Sequence, residues 1–271
     1  MKNRSLIIQC NNVCPCLCPG CYNFFPDKHV PLNDIIEFIS KLNESLRLPK
    51  VTLSGGDPLL SEGISYFINK LVDLDISVSL DSVGSIFLKG IDKDLLFSLQ
   101  RISLLGLPLD GTSDETIQLF RQKMSFAESM MIIEKSKIIR KSICINTVVH
   151  SGNIKEIKDI ALIVNNHTHI SRWQVFQYMP IGPRGFKNRM KYAIGNEIFL
   201  DLVESINKLD IRESLAIDFK SIETREDKYL ILGADGLLWL PQNGPERIVL
   251  GSIYDKNIIG SIKRVYNYEK V

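Results

Sequence analysis

Cys10-Asn-Asn-Val-Cys14-Pro-Cys16-Leu-Cys18-Pro-Gly-Cys21-Tyr22-Asn23 is the stretch on which the reading of this chain turns. It holds five of the six cysteines, and Cys144 stands alone. A disulfide framework spreads its thiols so that loops are closed; five thiols this close together read instead as a soft-metal site in a reduced compartment. Cys14, Cys18 and Cys21 are spaced C-x3-C-x2-C. Three thiolates on one tight loop can cap three irons of a cubane and leave the fourth open to an exogenous ligand, since such clusters are normally held by four. The competing reading is zinc, which takes C-x2–4-C pairs completed by a distant pair or by histidines. Cys10 and Cys16 stay open as spectators or aids to assembly. Together with Cys144 they are too few for a second four-cysteine cluster.

Around this loop, short β-branched runs alternate with amphipathic helical patterns. Strands are predicted over 4–10, 50–56, 76–82, 101–110, 142–150 and 171–180. Helical stripes between and after them include Ile35-Phe38-Ile39-Leu42, Ile64-Phe67-Ile68-Leu71, Ile157-Ile160-Ala161-Val164 and Phe199-Leu202-Val203-Ile206. Six strand–helix units in series argue for a parallel sheet with helical crossovers. They fall short of a closed eight-stranded barrel, so the expected fold is α/β, a partial (β/α)6 TIM-like barrel. Ligands in such sheets sit at the C-terminal strand ends. Residues 227–241 read as a β-hairpin about Ala234-Asp235-Gly236. The expected division is a core over 1–215 and a C-terminal extension over 216–271 that covers the barrel mouth.

Composition narrows the class. The chain has 271 residues, 45% hydrophobic and 24% charged, with a net charge of +2. This excludes wholesale disorder, and the charge balance argues against a nucleic-acid polymer as partner. The basic start, MKNRSLIIQCNN, lacks the apolar core of a secretory signal, and no run is long enough to cross a bilayer. A cytoplasmic protein without membrane contact is expected.

Further motifs fall at the other strand ends. The second strand closes with Ser54-Gly55-Gly56-Asp57-Pro58, where glycines let backbone approach a ligand and the acid can pair with an ammonium; alone, it is only a turn. With C-x3-C-x2-C it resembles the radical S-adenosylmethionine (SAM) superfamily, whose glycine-rich motif in this place binds the methionine amino group. The resemblance implies that Cys14, Cys18 and Cys21 ligate a [4Fe-4S] cluster and that SAM chelates its open iron. One departure is Gly20 before the third cysteine, where the family often has an aromatic residue; here the aromatic is Tyr22. Leu80-Asp81-Ser82-Val83-Gly84 is similar to the family's SAM-contacting segment, and Leu107-Pro108-Leu109-Asp110-Gly111 to a stretch whose acid faces the cavity. Asp110 also reads as a helix cap. Asn146, in Ile145-Asn146-Thr147-Val148, needs a partner, either SAM or neighbouring backbone.

The expected cofactor contacts are thus Tyr22, Gly55, Gly56, Asp57, Ser82, Asn146 and Val148. Asp110, Gln177 and Arg184 are the candidates for catalysis. The string Cys18-Pro-Gly-Cys21-Tyr22-Asn23 is similar to that of anaerobic ribonucleotide-reductase activating enzymes. Arg172–Gln177 and Asp227–Leu232 resemble viperin-type radical SAM nucleotide dehydratases. The resemblance implies an enzyme that cleaves SAM reductively to a 5′-deoxyadenosyl radical. That radical abstracts hydrogen from a small, nucleotide-like molecule, and the electron comes from a donor such as flavodoxin or ferredoxin. Alternatives are an activase that installs a glycyl radical on a partner protein, a peptide-modifying enzyme, and a non-catalytic iron–sulfur or zinc module.

Overall fold

The computed structural model describes residues 5–226 and 228–266. Ten strands form one sheet: β1 (Ser5–Gln9), β2 (Lys50–Ser54), β3 (Ser77–Asp81), β4 (Leu104–Pro108), β5 (Ile143–Val149), β6 (Ile170–Gln177), β7 (Ala216–Lys220), β8 (Tyr229–Leu232), β9 (Leu237–Pro241) and β10 (Arg247–Ser252). Their order is β10-β9-β8-β1-β2-β3-β4-β5-β6-β7. β1 to β7 are parallel neighbours in sequence order, β8 lies parallel on the free side of β1, and β9 and β10 fold back antiparallel.

Helices Leu32–Leu46, Ile64–Asp73, Lys93–Leu99, Asp114–Phe120 with Phe126–Lys135, Ile157–Asn166 and Asn196–Asn207 follow the first six strands, giving the six units that the periodicity predicts. Each turns its apolar stripe onto the sheet: Ile35, Phe38, Ile39 and Leu42 are buried in the first. Alternate strand residues such as Leu6, Ile8, Val51 and Leu53 are fully buried. The intervening residues Ile7, Thr52 and Ser54 line a cavity on the other, concave face.

Three features depart from expectation. The Gly/Pro stretch after β6 is wound into helices Gly182–Lys187 and Arg189–Tyr192, with Gly182 left-handed (φ 73°) and Pro183 in the first turn, where its missing N–H costs nothing. β7 and β10 were not anticipated; Ala216–Lys220 carries Asp218 and Lys220 and does not read as a buried strand. The expected C-terminal extension contributes strands to the sheet, β7 on one side and β8–β10 on the other. Arg4 and Asp227, which open two expected strands, and residues 267–271 lie outside the described residues. Among the described residues no helix is long and apolar enough to cross a membrane.

The connection from β7 to β8 dictates curvature. In a flat sheet, seven inter-strand steps of ~4.8 Å would separate these two strands by about 34 Å. The link 221–228 reaches about 32 Å when fully extended, and part of it is wound into helix Ile222–Arg225. The sheet must therefore curl until its two flanks approach each other.

The β8–β9 hairpin turns at Gly233–Gly236, and Val30 N donates to Ala234 O at 2.8 Å, tying it to the chain that leaves the cysteine loop. Arg247 reinforces this join. It pairs with Asp235 at 2.7 Å and lies over the rings of Phe24 (4.9 Å) and Trp239 (5.9 Å). Arg247→Ala strands the largely buried Asp235 carboxylate and is expected to lower unfolding stability by about 2 kcal/mol or more in a denaturant titration.

Candidate active site

The cysteine loop is fixed by main-chain contact with the turn after β2. Cys10 N donates to Ser54 O (2.8 Å), Gly56 N to Asn11 O (2.8 Å) and Asp57 N to Val13 O (2.6 Å). Asn11 adds side-chain bonds from Nδ2 to Asp57 O (2.9 Å) and Ser61 Oγ (2.5 Å). A Cβ on Gly55 would lie 2.6 Å from Asn11 O, and one on Gly56 would strike Val13 O. Both glycines are thus required by the loop itself, besides exposing backbone to the cavity.

That cavity, about 480 Å³, opens beneath the loop. Of the five loop cysteines, Cys14, Cys18 and Cys21 line it; Cys10 and Cys16 do not and are buried. The Cys16 thiol hydrogen-bonds to Cys14 and Cys18, which lowers both and brings Cys18 to about 7, while Cys16 itself is held protonated. Burial pushes Cys10 and Cys21 up to about 12. Among the described residues no three ligating side chains converge on a single-ion position; the three thiols instead border a shared space. Three thiols around one space are the donor set of a cubane with one open iron, and Gly55 and Gly56 line the same space.

Around this centre the expected contacts separate into two groups. Tyr22, Gly55, Gly56, Ser82, Asn146, Val148 and Gln177 line the cavity; Asp57, Asp110 and Arg184 do not. The Tyr22 hydroxyl is engaged with Ser54 Oγ at 2.9 Å, and burial raises it to about 12. Asp57 is fully buried behind the glycine turn, where Oδ1 accepts from Ser82 Oγ (2.6 Å) and Leu59 N (3.3 Å). It holds Ser82 in place and does not reach the cavity. Its Oδ2 is buried without a partner, and burial raises its pKa.

Asp110 is likewise a post. One oxygen accepts from Val148 N (2.7 Å) and the other pairs with Arg121 Nε, so it does not face the cavity as the resemblance implies. Arg121 is the member of this pair that lines the cavity, and its charge helps to lower Cys18. Gln177 spends both ends of its amide on backbone, accepting from Ile222 N (2.9 Å) and donating to Ile194 O (3.2 Å). Arg184 lies 4.2 Å above the Phe25 ring and braces the exit of the cysteine loop.

Sequence reasoning missed Asp81, Lys50, Gln174, Lys220 and Arg225, all in the lining. Asp81, at the end of β3, accepts from Asn146 Nδ2 of β5 at 2.9 Å across the intervening β4. The bridge exists because β4 carries Gly106 there; a Cβ would strike Asp81 Oδ1 and sit 2.6 Å from Asn146 Nδ2. The Cys144 thiol donates to Asn146 Oδ1 (3.4 Å), which fixes the amide orientation. The available signal was polar residues at alternate positions in strands of a parallel sheet, which otherwise read as continuous apolar runs.

Two outcomes follow from this geometry. Anaerobic reconstitution of Cys16→Ala should retain iron and the cluster absorbance, whereas Cys14→Ala, Cys18→Ala and Cys21→Ala should each lose them. Gly106→Ala should break the Asp81–Asn146 bridge and lower stability by about 1–3 kcal/mol, as overpacking does, measurable by thermal unfolding.

A family model described as the Radical SAM superfamily matches residues 8–163, more than half of the chain. The chain is 28% identical to a GTP 3',8-cyclase of Helicobacter pylori (strain HPAG1) over 230 residues, 83% of this chain and 69% of the relative. It is 23% identical to an S-adenosylmethionine-dependent nucleotide dehydratase of Lacinutrix mariniflava over 188 residues, 67% of this chain and 38% of that protein. The fold superposes on Streptococcus suis SuiB bound to S-adenosylmethionine with a TM-score of 0.73 at 14% identity, covering 98% of this chain and 67% of that one. The family match falls on β1 to β5 and on the loop whose thiols border the cavity, and the chain belongs to the radical SAM superfamily.

Proposed function

We propose that this radical SAM enzyme acts on a nucleotide held in the cavity below the cysteine loop, by abstracting a hydrogen atom from it. The observation that carries this reading is the make-up of the cavity. Three thiols border one part of it, and polar side chains from β2 (Lys50, Thr52, Ser54), β3 (Asp81), β5 (Asn146), β6 (Gln174) and β7 (Lys220) line the rest. Its volume of about 480 Å³ lies in the range of small-molecule sites. Two curated relatives of separate activity, a GTP 3',8-cyclase and a nucleotide dehydratase, are named for nucleotide substrates.

As a superfamily member the enzyme uses a [4Fe-4S] cluster and SAM, which together supply a carbon radical able to take hydrogen from an unactivated position. In this proposal Cys14, Cys18 and Cys21 hold the cluster, and the backbone of Gly55 and Gly56 with Ser82 and Tyr22 holds SAM. Arg121, oriented by Asp110, keeps a positive charge beside Cys18. Asp81 and Asn146 offer the substrate a carboxylate acceptor and an amide donor from adjacent positions on the wall. Phe120, Phe176, Tyr178 and Met179 close the cavity with apolar surface that excludes water.

The test is anaerobic reconstitution with iron and sulfide, addition of SAM and dithionite, and measurement of 5′-deoxyadenosine with each ribonucleoside triphosphate in turn. Wild type should respond to at least one nucleotide, and Cys18→Ala to none. Production that no nucleotide changes, but that a peptide or a glycyl-radical partner stimulates, would overturn the substrate reading.

A further inference from the structure

The cavity carries an excess of positive charge that the cysteine end does not use. Four cationic side chains line it, Lys50, Arg121, Lys220 and Arg225, against one carboxylate, Asp81. Arg121 is already paired with Asp110. Lys50, Lys220 and Arg225 make no ion pair among the described residues.

Arg225 is the most constrained of the three. It ends helix Ile222–Arg225 in the link that spans from β7 to β8. Its Nη2 donates to Gln177 O, its Nε to Ser221 O at 3.2 Å, and its guanidinium lies 5.5 Å over the Phe176 ring. These carbonyls fix its direction without neutralising its charge, and no hydrogen bond engages Nη1. Burial brings its pKa down to about 10, opposed only by Tyr229; a guanidinium remains charged at that value. The link is itself held at several points. Gln177 Oε1 accepts from Ile222 N (2.9 Å), and Ser221 Oγ caps the turn by accepting from Thr224 N (3.1 Å).

Lys220, the last residue of β7, lines the cavity just before this link, and Lys50, the first residue of β2, lines it from the middle of the curled sheet. Lys50 feels Asp81 electrostatically but does not contact it as an ion pair. A buried guanidinium with no counter-charge is unfavourable in the empty protein; with the two lysines on the same cavity wall it matches a ligand that brings several negative charges.

We propose that Lys220 and Arg225, faced by Lys50, form an anion subsite that takes the phosphate chain of the substrate, with Gln177 as the positioning residue that fastens the Arg225 link to β6. The proposal deepens the nucleotide reading and rests on it. Arginine presents a planar fork to two phosphate oxygens, and the lysines act as point charges on the remainder of the chain. Phosphate as the recognised chemistry follows from the number of unpaired cations; a single carboxylate would leave most of that charge unmatched.

The test is equilibrium binding of GTP and CTP, of guanosine and cytidine, and of inorganic tripolyphosphate to the reconstituted, SAM-loaded protein. At least one triphosphate should bind about tenfold or more tighter than its nucleoside, and that advantage should shrink as salt rises, as it does for charge–phosphate contacts. Arg225→Gln and Lys220→Gln should each reduce the advantage by about tenfold, the scale of one charge-assisted contact. Arg225→Lys should keep part of it. Iron content and far-UV circular dichroism would separate loss of the subsite from loss of the fold. Equal binding of triphosphate and nucleoside, or an advantage unchanged in both glutamine variants, would overturn the subsite. A protein that cleaves SAM in response to a nucleotide yet shows no phosphate advantage keeps its substrate class and loses the subsite. One that binds tripolyphosphate through Arg225, while no nucleotide stimulates SAM cleavage, keeps the subsite and loses the nucleotide reading.

Discussion

The close approach of two backbones governs this structure. A loop rich in cysteine and proline has few apolar side chains with which to fix itself. Here it is laid main chain to main chain on the turn after β2, at a separation that only glycine permits at positions 55 and 56. The three bonds from Cys10, Gly56 and Asp57 set the height of the loop above the sheet. That height in turn decides which thiols face the cavity and which are turned into the core. The exit of the loop is held separately, by Phe24 against Trp239 and Arg247 and by Phe25 under Arg184.

The order of elements and the three thiols that line the cavity were legible because both are written in spacing. Apolar residues at helical and strand intervals gave the six β/α units, and C-x3-C-x2-C separated three thiols from two neighbours. Depth is not written in spacing. Asp57 and Asp110 stand in motif positions and look like ligands, yet each is buried one layer behind the residue that lines the cavity: Ser82 for the first, Arg121 for the second. Lys220 and Arg225 were invisible for the converse reason. They sit in ordinary-looking strand or link sequence and matter only because the sheet curls to bring β7 and helix Ile222–Arg225 onto the same space as β2 and β3.

Polar groups that line the cavity are positioned by partners on other elements. Asp81 of β3 is held by Asn146 of β5, which is oriented by Cys144 of the same strand. Burial raises the Cys144 thiol well above its usual value, so it remains a neutral donor. Arg121 is held by Asp110, which also accepts from the backbone of β5. Such pairing keeps acidic and basic groups fixed while they remain accessible from the cavity, at the cost of demanding a glycine where two side chains must pass over a strand.

The placement of β8 has a consequence for how the chain assembles. Leu6 pairs with Val51 on one side and with Leu230 on the other. The strand that launches the cysteine loop thus gains its second neighbour through one of the longest-range contacts in the fold, and closing so long a segment is entropically expensive and slow. During synthesis β1 can dock on β2 early, but one side of it stays bare, and the loop exit stays unclamped, until β8 to β10 have emerged. The loop and the cavity wall beside it are therefore fully braced only when the carboxyl-terminal strands have docked, so the pocket is the last part of the fold to be completed.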